Sequence, residues 1–164
     1  MGQRRLPMIK EVSWAAVGPQ LVLLAVLVAA GHAVIGPRFG VTAGALVWLA
    51  WRMGGHQVVA RHHRAGIRLL RARRPEQAIG AFERSIAFFE RHPWVDRHRA
   101  LVLLSPSRMC YREMALVNIA FAWGQLGDGV RMKQTYERAL AEYPDNPIAA
   151  AALQQIAAIA GRAS

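Results

Sequence analysis

The sequence predicts an all-α protein: an N-terminal transmembrane helical hairpin, then a small domain of paired helices with a closing helix. Three observations lead there. Val12 to Ile35 runs for 24 residues without a formal charge. The net charge of +11 lies on either side of the apolar block that this run opens. Beyond residue 58 the apolar residues recur at the spacing of helix faces, not at the alternation of strands.

Composition removes several classes first. A chain that is 54% hydrophobic and 19% charged is too apolar for a disordered segment. A single cysteine excludes a disulfide scaffold and any zinc site built on two or four thiolates. Residues 1–10 carry +3, residues 11–51 are neutral, residues 52–112 carry +9 and residues 113–164 carry −1. Arginine held on both flanks of an apolar block marks those flanks as cytoplasmic. The expected order is therefore a basic cytoplasmic N-terminus at 1–11, a hairpin at 12–57 and a soluble part at 58–164. Both termini then face the cytoplasm, in a multi-pass arrangement suited to a bacterial inner membrane.

The first span is expected at about 12–35, which as a helix measures about 36 Å against a hydrocarbon core of about 30 Å. Gly18-Pro19-Gln20 is placed to kink its first turns, and Gly36-Pro37-Arg38 reads as a turn. A second segment is expected at about 39–57, with Arg52 near its end reaching back to the interface. Two alternatives stay open: one span followed by an interfacial or re-entrant segment, or a cleavable signal peptide cut after Ala33. Gly36, Gly40 and Gly44 recur every four residues and give a face on which two helices approach closely in lipid. Ala25, Ala29 and Ala33 repeat the spacing in the first segment.

Two later stretches end alike, Ala81-Phe-Glu-Arg-Ser-Ile-Ala-Phe and Thr135-Tyr-Glu-Arg-Ala-Leu-Ala-Glu, at an offset of 54 residues. In residues 113–146, Leu116, Ile119, Ala120, Trp123, Gly127, Met132, Tyr136, Ala139 and Pro144 follow a helix–turn–helix pattern. Gly66, Leu69, Ala78, Phe82 and Ser85 do so in residues 59–92. On these residues the chain resembles the tetratricopeptide repeat (TPR) family, whose unit is 34 residues long. Met132 stands where the family has alanine, and His62 where it has a large apolar residue. Two repeats cannot cover their own ends, so residues 148–160 are expected to close the array. A lengthened helix is expected from Pro106 to about Gln125, started by the Ser105-Pro106 cap. Ala100 to Leu104 either fills the gap between repeats or lies on the membrane.

The resemblance implies a protein-binding inner face, at His63, Ile67 and Leu70 in the first copy and Met114, Val117, Asn118 and Phe121 in the second. It equally allows residues 94–104 or the closing helix to fill that face. Arg52, Arg61, Arg64, Arg68, Arg71, Arg73 and Arg74 are read as orientation signals that also suit anionic lipid. Nucleic acid is disfavoured because no aromatics interleave with the arginines. The histidines lack the spacing of a metal site, Cys110 reads as an inert thiol within a helix, and no phosphate loop or nucleophile motif occurs. Neither catalysis, metal nor cofactor is expected. The function expected is a membrane-anchored adaptor, serving as scaffold or assembly factor for a membrane complex. The alternatives are a small subunit whose hairpin is the working part, and an anionic-lipid surface module.

Overall fold

The computed structural model describes residues 14–104 and 107–163. The basic N-terminus and the Ser105-Pro106 cap therefore lie outside the described residues. Among the described residues every regular element is a helix and no sheet forms. The described chain divides into two compact units, one of residues 14–61 with 92–110, the other of residues 62–91 with 111–163.

The first unit is built on α1 (Trp14–Ile35) and α2 (Gly40–Val58). α1 runs on through Pro19. The turn between the helices needs a left-handed residue, and Gly36 supplies it at φ +92°. The order of contacts then reverses. A Cβ on Gly40 would collide with the carbonyl of Gly31 and the Cα of His32, and one on Gly44 would stand 2.5 Å from the Leu27 carbonyl oxygen. The helices are thus antiparallel and touch backbone to backbone. Gly36 takes no part in this face, for a side chain there would meet open space. Among the described residues only α1 is long and apolar enough to cross a membrane, over Val17–Ile35. α2 covers the second expected segment and ends at Val58, but its second half includes the polar residues Arg52, His56 and Gln57.

Two short helices complete this unit, α5 (Pro93–Arg97) and α6 (Arg99–Val102). Residues 92–110 group with α1 and α2, not with the helix pairs. Long-range bonds explain it. Trp51 Nε1 donates to the Val102 carbonyl at 3.2 Å, and Arg52 Nη1 donates to the Leu104 carbonyl at 3.1 Å. The lengthened helix is corrected, since α7 (Tyr111–Gln125) begins five residues after Pro106. Arg99 draws the preceding chain out of helical geometry. Its guanidinium donates to the carbonyls of Asp96 at 3.1 Å, Ser107 at 3.3 Å and Arg108 at 2.7 Å.

The second unit contains α3 (Arg61–Arg71), α4 (Pro75–Arg91), α7, α8 (Gly129–Glu142) and α9 (Pro147–Ala163). α3 docks on α4 where Gly66 leaves room for Phe82; a Cβ there would lie 2.6 Å from the ring. α4 packs on α7, α7 on α8, and α8 on α9. Met132, which stands where the resembled family has alanine, lies over Gly124, whose missing side chain leaves it space. Asn146 fastens the end. Its Nδ2 donates to Glu113 at 2.8 Å, while its Oδ1 caps α9 by accepting from Ala149 N–H.

The two helix pairs turn in the same way. Arg74 N–H bonds to Leu69 and Arg73 N–H to Leu70; Asp128 N–H bonds to Trp123 and Gly127 N–H to Gly124. Both are Schellman caps, with the left-handed position held by Arg73 (φ +57°) and by Gly127 (φ +78°). A side chain at that position is strained. Arg73→Gly is therefore expected to stabilise the full chain in detergent by about 0.5–1 kcal/mol, and Gly127→Ala to cost about 1 kcal/mol. Denaturant midpoints measure both.

Candidate functional site

The residues expected on an inner binding face separate into two groups. His63, Leu70 and Val117 are buried, whereas Ile67, Met114, Asn118 and Phe121 are half-buried. His63 belongs to an aromatic core and not to a surface. Its ring meets Phe82 edge-on at 5.3 Å and Tyr111 edge-on at 5.2 Å, and Tyr111 stacks on Phe89 at 4.9 Å. Among the described residues, Nδ1 of His63 has no hydrogen-bond partner. Asn118 spends its amide on its own helix, donating to the Met114 carbonyl at 2.8 Å.

The opposite face of α7 carries a groove that the sequence reading did not single out as a site. Leu116, Ile119 and Trp123 form one wall, Ile86 and Ala87 of α4 a second, and Gln134 and Thr135 of α8 a third, around about 410 Å³. Its rim is charged, with Glu83 and Glu90 on α4 and Arg138 on α8. At one end Arg112 pairs with Glu90 (3.5 Å) and Glu142 (3.3 Å), and Arg138 pairs with Glu142 (2.8 Å). At the other, Arg131 lies 4.6 Å from the centre of the Trp123 ring. Leu116, Ile119 and Trp123 are legible in the sequence as the apolar stripe of α7. Nothing in their spacing distinguishes a covered stripe from a groove wall.

The arginines also divide. Arg52 is part-buried, bonded to Leu104 and set 5.8 Å from the Trp48 ring, so its charge is met by protein. Arg61, Arg64, Arg68 and Arg71 lie along one exposed face of α3, opposite His63, Gly66 and Leu70. Arg73 and Arg74 are exposed in the turn that follows. Of the three glycines expected to pack the membrane helices, Gly40 and Gly44 stand at the α1–α2 contact, and Gly36 forms the turn.

Cys110 precedes α7 instead of lying within a helix, and is partly exposed. Among the described residues, no group of three or more His, Cys, Asp or Glu side chains could hold a metal ion. Comparison with protein-family models, with curated proteins and with solved structures finds no match.

Burial pushes the His63 imidazole from its ordinary 6.5 down to about 4. Because the folded state resists the proton that the unfolded chain accepts, stability is full above pH 6.5 and falls as pH drops toward 4. The expected loss across that window is about 3 kcal/mol. His63→Leu should flatten that part of the profile, as measured by denaturant unfolding of the full chain between pH 7 and pH 4.

Proposed function

We propose that this protein is a membrane-anchored adaptor, in which a small TPR-like helical array is held at the bilayer to engage another protein. The observation that carries the proposal is the surface of α1. Its apolar stretch is only 6% buried within the protein, and Leu21, Val22, Val26 and Val34 stand exposed. Apolar side chains left outside a fold over that length call for lipid or an apolar partner. A hairpin reading of α1 and α2, with both termini cytoplasmic, fits the backbone contact at Gly40 and Gly44 and the commitment of Arg52 to a carbonyl. Glycine contacts of this kind hold helices together in lipid, where no hydrophobic effect does so.

The repeat reading is supported by the 54-residue offset, which relates not only Phe82 to Tyr136 but also Arg73 to Gly127 in the two turns. Ala78, Phe82 and Ser85 in one pair, and Ala120, Tyr136 and Ala139 in the other, are all buried. The groove among α4, α7 and α8 is the surface best suited to a partner, having an apolar floor and charged rims. It favours a short amphipathic segment of a protein. The four arginines along α3 favour a second contribution, attraction to anionic headgroups at about 1 kcal/mol for each residue near the surface.

Membrane fractions of cells expressing the full chain provide the test. The chain should resist extraction by alkaline carbonate. A photo-crosslinking amino acid replacing Thr135 should give a discrete adduct with another protein, and Glu83→Lys together with Glu90→Lys should abolish it. Extraction by carbonate would remove the anchor from the proposal, and the absence of an adduct from Thr135 would remove the groove.

A further inference from the structure

The first unit presents a second exposed surface, on α5 and α6. Trp94, Arg97, His98 and Leu101 are all exposed and follow one another at spacings of three, one and three residues. That is one face of a helix, and the backbone supports it, because His98 N–H bonds to Trp94 and Val102 N–H bonds to His98 across the junction of the two short helices. Trp94 is 58% exposed and Leu101 is 41% exposed, while Val95 is buried on the other side. Asp96 is the only acidic residue between 92 and 110, and it too is buried. The outward face thus combines an indole, an aliphatic side chain and a guanidinium, with no carboxylate among them.

Its position is fixed by α2. Trp51 and Arg52 lie in the second half of that helix and donate to the carbonyls of Val102, which ends α6, and of Leu104 just beyond it. A cation and an indole N–H at a helix C-terminus satisfy carbonyls that the helix leaves without partners. Arg99 then closes the following loop onto Asp96. The stripe is therefore held against the apolar helix pair, beside exposed Trp51, whose indole bonds to Val102.

We infer that α5 and α6 form an interfacial docking element, lying on an anionic lipid surface with Trp94 and Leu101 in the headgroup–acyl boundary and Arg97 among the phosphates. The inference rests on the reading of α1 and α2 as membrane helices. Three features select lipid as the occupant: the continuity with those helices, the cationic face left by the burial of Asp96, and the tryptophan, which favours the boundary where one side of its ring is wet. The element is a short amphipathic strip of the kind that lies in the interfacial plane and does not span it. Its role is to fix the orientation of the anchor against the bilayer surface.

Spin labels on the full chain test this. In a Cys110→Ser background, Leu101→Cys, Val26→Cys and Val130→Cys are labelled and reconstituted into phosphatidylcholine vesicles containing phosphatidylglycerol. Collisions with oxygen, which enters lipid, are compared with those of a water-soluble nickel chelate. The Val26 site should be dominated by oxygen, the Val130 site by nickel, and the Leu101 site by oxygen at shallower depth than Val26. Arg97→Glu should raise nickel access at Leu101 severalfold in anionic vesicles and leave the Val26 site unchanged. A Leu101 label as accessible to nickel as the Val130 label overturns the inference, and with Val26 in lipid the anchor still stands. A Leu101 label shielded from both reagents shows that protein covers the stripe, and also overturns it. If Val26 is open to nickel, the membrane reading fails and the docking element fails with it. No change with Arg97→Glu overturns the electrostatic part.

Discussion

The backbone approach of α1 to α2 is the contact on which the first unit depends. Gly31, Gly40 and Gly44 remove the side chains that would hold the helices apart, so carbonyls and Cα atoms of one meet those of the other. Once α2 lies against α1, the indole of Trp51 and the guanidinium of Arg52 lie within reach of Val102 and Leu104, some fifty residues later. A positive charge in an otherwise apolar helix is expensive unless something accepts its hydrogen bonds. The Leu104 carbonyl just beyond α6 does so. Glycine contact, arginine placement and the fold of residues 92–110 are therefore one linked arrangement.

The second unit rests on a different principle, the filling of a space by whichever partner is small. Gly66 makes way for Phe82 and Gly124 for Met132, so in each pair the first helix supplies the small residue and the second the large one. Flexible, unbranched methionine suits an irregular space of this kind. His63 occupies the aromatic cluster at the cost of remaining neutral. Its ring serves there as a flat, mostly apolar filler between Phe82 and Tyr111.

Much of the secondary structure was legible because its signals are local. An uncharged run marks α1, Gly36-Pro37 marks the turn, and the apolar stripes with Leu126-Gly127-Asp128 mark α7 and α8. The segment from His92 to Cys110 was not legible, since what shapes it is three side chains donating to distant carbonyls. No period or cap announces Arg99 reaching Arg108, or Arg52 reaching Leu104. The site was only partly legible for a related reason. Spacing shows which residues share a face of α7, but whether that face is covered depends on α4 and α8. His63 and its neighbour His62 look alike in sequence, and only the packing of Phe82 decides which of them is buried.

Asn146 sets a condition on any lengthening of the second unit. Linear helical arrays lengthen readily by duplication, because each unit presents its successor with much the same surface. Here a single buried amide ties the start of α9 back to Glu113 at the start of α7, spanning α8 on the way. A duplicated α7–α8 pair inserted before α9 would bring a copy of Glu113 to Asn146, whereas a pair that lacks this glutamate would leave the amide without its partner. An added unit would have to bring its own glutamate, placed to receive the same bond. One asparagine thereby selects which helix pair can stand before α9.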